Sequence, residues 1–326
     1  MEVVIVPSAD DSGRVVAGLL TVTGSGTSTG SVVGLDVGGT GIKGARLGLA
    51  GGVQERVAIA TPVAGGPTAV VRAVVQAARS LTRPDTIGVG VCSAGLIDTG
   101  AGVVRRAGNL GLRDVPLARV VREAVGLPVT LEHDARAACL AEHRLGAGGG
   151  SEDLLLVVLG TGLSAGVLTG GRLVPGSLGF GGEIGHAPVH PDGESCPCGQ
   201  RGCLEVYASA GGMVRRYRSA GGDPAHSAAD IARAVDRDPL AGRIWAEGME
   251  ALGLGLRSAI LLLDPGLVVL AGGLTGAGER LVAPVRTAVA GGLAWREPPP
   301  ISISTLGAEA GVHGAALVLL DSTGRR

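Results

Sequence analysis

From Val32 onward, short apolar runs alternate with glycine turns. Val32–Val37 stops at Gly38-Gly39, and Ile42–Leu49 and Val53–Ala60 follow, separated by Gly51-Gly52. Three such runs joined by tight turns predict a meander of strands. Pro67–Leu81 then places Val70, Val71, Val74 and Ala78 at helical spacing. Ile87–Cys92 reads as a strand, Pro116–Val125 as a helix with proline in its first turn, Val129–Glu132 as a short strand and Asp134–Leu145 as a helix.

After Gly148-Gly149-Gly150 the plan restarts. Leu154–Leu159 is a buried strand ending in Gly160-Thr161-Gly162, and Ala165–Leu168 and Leu173–Val174 complete a second meander. A cysteine-bearing loop leads into arginine- and alanine-rich helices, one of them long, near Leu240–Leu263. Leu267–Leu270 is a strand ending in Gly272-Gly273; a helix from about Gly278 to Ala290, a strand at Ile301–Ser304 and a helix at Val312–Leu320 close the chain. Each half thus opens on a strand, a glycine–threonine turn and a meander, which predicts an α/β protein of two duplicated units. Before them, Arg14–Val22 is apolar enough for a strand, but residues 23–30 are a Gly/Ser/Thr run, and 1–30 reads as a flexible extension.

Composition narrows the class. Glycine fills 59 of 326 positions, against an average of roughly 7%. With no collagen period and 45% hydrophobic residues, the excess points to tight turns or to backbone pressed against ligands. A net charge of −1 and five aromatics argue against a nucleic-acid surface or a base-stacking platform. No run of 18 apolar residues lacks a charge, and the N-terminus lacks a basic signal region, so no membrane span or export is expected and the chain reads as cytoplasmic. Of the 28 basic residues only Lys43 is lysine.

Lys43 lies in the first of four motifs, Gly34-Leu35-Asp36-Val37-Gly38-Gly39-Thr40-Gly41-Ile42-Lys43. An apolar strand delivers Asp36 to a turn whose bare amides at Gly38 and Gly39 can approach phosphate oxygens, with the Thr40 hydroxyl as a further donor. Asp36 could hold Mg²⁺, and Lys43 could place a compact positive charge beside the phosphates. The competing reading is a plain hairpin with a surface lysine. The string is not a Walker A loop, lacking Gly-Lys-Ser/Thr, nor a dinucleotide fingerprint, since a strand and not a helix follows. Gly160-Thr161-Gly162 repeats the design, so a pair of such turns could clamp a polyphosphate.

Glu132-His133-Asp134 ends a strand and begins a helix. Asp134 reads either as an N-cap or as a general base within reach of a substrate hydroxyl. The last motif joins Gly182-Glu183-Ile184-Gly185-His186 to Cys196-Pro197-Cys198 and Cys203-Leu204-Glu205. His186, Cys196, Cys198 and Cys203 make a Cys₃His set, the donors of structural zinc; the alternative is reduced thiols or one disulfide. Cys92 and Cys139, isolated in apolar context, read as buried thiols.

Together these motifs resemble the ROK family of bacterial sugar kinases, especially its glucokinase-like members, from about Val32 to the C-terminus. The resemblance implies the actin-like ATPase fold: two RNase H-like α/β domains with ATP and sugar in the cleft, and phosphoryl transfer to a hexose hydroxyl, usually O6. It implies a smaller domain of residues 31–140 plus 309–326, and a larger one of 141–308 with the zinc loop. Asp134 matches the catalytic base. Asn109, Glu183, His186 and Glu205 match sugar-binding positions, with Gly95 on the neighbouring loop. Asp36, Gly38–Thr40 and Gly160–Gly162 match the phosphate loops, Gly272 and Gly273 the adenosine-side turn, and Gly311 the segment before the last helix. The zinc ligands would be His186, Cys196, Cys198 and Cys203; ATP, Mg²⁺ and structural Zn²⁺ are the implied cofactors, and homodimers are common in the family. Repressor members carry an N-terminal winged helix that a 30-residue extension cannot supply.

One position departs. The family usually has Asn-Asp where this chain has His133-Asp134, and the asparagine meets a sugar hydroxyl beside the one phosphorylated. Histidine offers one donor and one acceptor on a bulkier ring, so His133 either keeps glucose as substrate or selects an amino sugar such as kanosamine. A sugar-responsive binding protein without turnover and an N-acetylhexosamine kinase are the alternatives.

Overall fold

The computed structural model describes residues 30–324 in full and the backbone of 2–9 and 15–23. Residues 1, 10–14 and 24–29, all part of the expected extension, and 325–326 lie outside the described residues. Within that stretch β1 (Glu2–Ala9) and β2 (Val15–Thr23) pair as an antiparallel hairpin with an irregularity between Val6 and Ser8. The chain divides into two compact units.

In the first unit β3 (Ser31–Val37), β4 (Gly41–Gly48) and β5 (Val53–Ala60) form the predicted meander. After helix α1 (Gly66–Leu81), β6 (Thr86–Ser93) pairs parallel to β3. Three short strands, β7 (Leu96–Asp98), β8 (Val103–Ala107) and β9 (Leu112–Val115), make a small separate sheet that the apolar pattern does not reveal. Their runs are too brief to show a period. Helix α2 (Leu117–Val125) leads to β10 (Val129–His133), parallel to β6, and directly into α3 (Asp134–Leu145). The main sheet order is β10-β6-β3-β4-β5. Its core packs Val33, Leu35 and Val37 against Val70, Val74, Ala77 and Leu81 of α1, all buried.

The second unit repeats this plan. Strands β11 (Leu154–Leu159), β12 (Leu163–Thr169) and β13 (Arg172–Leu173) come first. Helices α4 (Leu204–Ala208), α5 (Ala210–Ser219), α6 (Ala228–Ala234) and α7 (Pro239–Leu263) follow. β14 (Leu267–Ala271), α8 (Glu279–Ala290) and β15 (Ile301–Ile303) complete it. The sheet order β13-β12-β11-β14-β15 matches the first sheet strand for strand, with β14 parallel to β11 and β15 parallel to β14. The duplication inferred from two similar openings is therefore present in the topology. No helix among the described residues is long and apolar enough to cross a membrane.

One feature differs from the linear reading. Leu173–Gly181 clusters with the first unit, although it lies inside the 141–308 stretch expected to form the second. Its glycines let it press on first-unit backbone: a Cβ on Gly179 would lie 2.4 Å from the Ile97 carbonyl oxygen. The chain returns to the first unit as α9 (Ala310–Ser322), inside the 309–326 stretch expected there. That helix lies on the sheet so closely that a Cβ on Gly34 would sit 2.1 Å from the Val312 carbonyl oxygen, and one on Gly90 1.8 Å from that of Ala315. Part of the glycine excess thus serves packing and not ligand binding. Gly90→Ala is expected to cost about 1–3 kcal/mol, the usual range for overpacking, measured by denaturant unfolding.

Candidate active site

The β3–β4 turn carries Asp36 at its entrance and Gly38, Gly39 and Thr40 at its tip. It is closed by the Gly38 N–H donating to the Gly41 carbonyl at 3.0 Å and braced by the Thr61 hydroxyl donating to the Gly38 carbonyl at 2.6 Å. Antiparallel register sets Lys43 directly across from Asp36. Asn109, from the 3₁₀ turn Gly108–Leu110, covers the tip: a Cβ on Gly39 would lie 2.9 Å from its Nδ2. Gly95 takes φ +106° in the turn beside this one, against the Arg106 carbonyl, and so has a backbone reason to be glycine.

Asp36 is half-buried as a residue, but its carboxyl is enclosed. The Cys92 thiol lies 3.6 Å from Oδ1, and a Cβ on Gly311 would come within 2.8 Å of Oδ2. Gly311 therefore lets the N-terminal turn of α9 abut the carboxylate. Burial, then the Asp134 carboxylate, push Asp36 up to about 6, while the Cys92 hydrogen bond and Lys43 pull the other way. Two carboxyls that repel one another across a shared, partly dry space suit a divalent cation.

Asp134 is the first residue of α3, and the N-cap position falls on His133, whose side chain caps nothing. The Asp134 carboxylate is not spent on the amides two and three residues on. Its Oδ1 accepts from the adjacent Ala135 N–H at 2.7 Å and lies 3.3 Å from His133 Nε2. The N-cap position itself is thus not Asp134, whose carboxylate stands where β10 passes into α3. The His133 ring is buried.

In the second unit, the Gly160–Gly162 turn has the same construction, with the Gly160 N–H donating to the Gly162 carbonyl at 3.0 Å. The start of α5 docks on it, through Ala210 N–H to the Gly160 carbonyl at 2.9 Å and Gly211 N–H to the Thr161 carbonyl at 3.2 Å. Thr161 itself stays exposed, like Thr40. Glu205, on α4, accepts from the Leu163 N–H at 2.9 Å, so this carboxylate ties the helix behind the cysteine loop to the glycine turn.

His186, Cys196, Cys198 and Cys203 place one donor atom each within 4.8 Å of one another. His186 Nδ1 is 3.9 Å from Cys196 Sγ, and Cys198 Sγ is 3.7 Å from Cys203 Sγ. Zn–S bonds of about 2.3 Å imply donor separations of roughly 3.8 Å around a tetrahedron, so the set fits that ion. No disulfide links these cysteines, which removes the disulfide alternative. Burial, followed by hydrogen bonds with the other two thiols, pushes Cys203 up to about 12, so a thiolate at Cys203 forms only against a cation. The other ring nitrogen of His186 lies 3.9 Å from Glu183 Oε2, beyond hydrogen-bond distance.

Gly272 takes φ +89° and presses on the end of β11, where a Cβ would lie 2.6 Å from the Leu159 carbonyl oxygen. It thus adjoins the Gly160 turn in the same unit. Gly273 lines a cavity of about 290 Å³ with Leu274, Ala232, Arg233 and Arg280. The sequence shows no sign of those two arginines' placement, because 27 arginines make any single one inconspicuous.

A profile of the ROK family matches residues 32–322. The glucokinase of Halalkalibacterium halodurans is 33% identical over 311 residues, covering 86% of this chain and 92% of that one. An N-acetylmannosamine kinase of Escherichia fergusonii is 31% identical over 291 residues, covering 87% and 96%. Among solved structures, a ROK family glucokinase from Streptomyces griseus in complex with glucose and AMPPNP matches with a TM-score of 0.77 and 34% identity, covering 89% of this chain and 99% of that one.

Proposed function

The chain belongs to the ROK family, and from that premise we propose an ATP-dependent hexose kinase that phosphorylates the 6-hydroxyl of glucose or of a glucose-like amino sugar. The fold is the actin-like ATPase fold of the ROK sugar kinases. The observation that carries the proposal is Asp134: a carboxylate at the first position of α3, at the end of β10, whose Oδ1 accepts from the Ala135 N–H.

In this mechanism Asp134 accepts the proton of the sugar hydroxyl as that oxygen attacks the γ-phosphorus of ATP in line with the departing ADP. The amides of Gly38, Gly39, Gly160 and Gly162 and the hydroxyls of Thr40 and Thr161 hold the phosphates, with Lys43 and Asp36 at the first turn. Positioning and electrostatics supply most of the acceleration. Asp36 would hold Mg²⁺, which when bound neutralises phosphate charge. Asn109, Glu183 and Glu205 bind sugar hydroxyls, and the Gly273 cavity takes the adenosine. A coupled ADP-release assay across glucose, mannose, N-acetylated and amino hexoses, with the phosphate located by NMR, tests it. Sugar binding without turnover of any hexose would support the regulatory alternative, and a preference for an N-acetylated hexose would move the substrate towards that of the Escherichia fergusonii relative.

His133 separates glucose from an amino sugar. If its ring selects the substituent beside the acceptor hydroxyl, His133→Asn is expected to change the ratio of kcat/KM for the two sugars about tenfold, the scale of one polar contact. An unchanged ratio returns His133 to a passive replacement.

The Cys₃His set would hold zinc as a closed, structural site. Purified protein is expected to contain about one zinc per chain by elemental analysis, and Cys203→Ser to lose it together with sugar affinity, since the loop joins Glu183 to the helix that carries Glu205. Full sugar affinity in zinc-free protein would remove this role.

A further inference from the structure

Two residues past Asp134 stands a charge the mechanism does not use. Arg136 is 1% exposed and among the largest fully buried side chains. Its Nε donates to Glu132 Oε1 at 2.7 Å, and its Nη2 lies 2.7 Å from the same oxygen. Its Nη1 donates to two backbone carbonyls, Gly179 at 2.9 Å and Gly181 at 3.1 Å. Glu132 in turn accepts from the His133 N–H at 2.7 Å. One guanidinium thus joins the strand–helix junction bearing Asp134 to the Leu173–Gly181 segment.

That segment has little else to hold it. It belongs to no helix, and its sheet pairing ends at Leu173. Its large apolar side chains do not anchor it, since Leu178 is 71% exposed and Phe180 38%. Its internal bonds, Gly181 N–H to the Pro175 carbonyl and Gly179 N–H to that of Gly176, shape the loop without attaching it. Two residues beyond Gly181 comes Glu183. The intervening Gly182 is itself pinned in the second unit, where its carbonyl accepts from the Ala165 N–H at 2.7 Å.

We propose that Arg136 is a positioning residue for sugar binding: by holding the Gly179 and Gly181 carbonyls it fixes where the chain enters Gly182-Glu183. The proposal rests on the sugar-kinase reading through Glu183. A planar fork suits this task, because its donors are spread over three nitrogens held in a rigid plane, whereas an ammonium has all its donors on one compact centre. A buried ion pair is a weak device for stability alone, so the charge is better explained by what it holds.

The test is Arg136→Lys, which keeps the charge beside Glu132 and loses the fork. The sugar KM and the calorimetric sugar Kd are expected to rise about tenfold or more, the order of loss that displacement of a positioning group brings. ATP KM and kcat are expected to stay within about threefold, a split that a general loss of folding would not produce. Gly179→Ala moves the same segment from the other side, by colliding with the Ile97 carbonyl. It should give the same split, and combining the two should cost less than the sum of their effects. If Arg136→Lys fails to fold, Glu132→Gln with Arg136→Met leaves no unpaired buried charge, and the same split is expected. Unchanged sugar affinity in a folded variant overturns the proposal, as do equal losses in sugar and ATP KM. Glu183→Gln separates the two levels: if it weakens sugar binding while Arg136→Lys does not, only the positioning role fails. If Glu183→Gln binds sugar as wild type does, the reading beneath it fails as well.

Discussion

Asp134→Asn is expected to lower kcat by about 10²–10⁴-fold, the usual contribution of a positioned general base, while the sugar Kd changes little. The amide has nearly the same size as the carboxylate, and its oxygen can still accept from the Ala135 N–H that now bonds Oδ1. What it lacks is a place for the proton. Rapid-quench measurement of the chemical step, with the sugar Kd from calorimetry, makes the comparison. Turnover near the wild-type rate would end the assignment of Asp134, and with it the strongest ground for a kinase over a binding protein.

The second large effect concerns stability and has the opposite sign to its effect on turnover. Burial and the neighbouring Asp134 carboxylate raise Asp36 from 3.8 to about 6. The folded protein therefore holds this proton more tightly than the unfolded chain. The stabilisation from protonated Asp36 is complete below pH about 4 and lost as the pH rises through about 6. At neutral pH the ionised group costs the metal-free fold about 3 kcal/mol, from two pKa units at about 1.4 kcal/mol each. Asp36→Asn is expected to recover up to that amount at pH 7.5, and nothing near pH 4, while abolishing Mg²⁺-dependent turnover. Denaturant unfolding of both proteins at the two pH values reads it. Equal stability at pH 7.5 would show that the carboxylate is not strained by its surroundings. Such a cost follows where a site is built for a cation and two anionic groups.

Individual residues show how far the chain could be read before it was folded. The strand of Val32–Val37 and its meander were legible because a buried strand is an unbroken apolar run bounded by glycine. The Cys₃His set was legible because its donors are rare elsewhere in the chain and close in sequence. The partners of Asp36 were only half legible: Lys43 faces it through local register, whereas Cys92 and the N-terminus of α9 come from 56 and more residues away. Arg136 looked like any helical arginine. Its burial depends on the Leu173–Gly181 segment arriving from 43 residues on, and no local pattern records that. The β7–β9 sheet escaped because its strands are too short to carry a period.

The glycine count marks the same division. Its excess is a property of the sequence, and so are the turns at Gly38-Gly39 and Gly160–Gly162, which follow from local backbone freedom. Which glycines serve ligands and which serve packing was decided only by the tertiary structure. Gly34 and Gly90 lie against α9, a helix that returns from the far end of the chain to the first sheet, and Gly311 within that helix lies against Asp36. The difference is one of range. Periodicity, turn chemistry and donor spacing act over a few residues and are written in the chain, whereas the approach of distant backbones, and the proton affinities and buried charges that follow from it, exists only once the chain has folded.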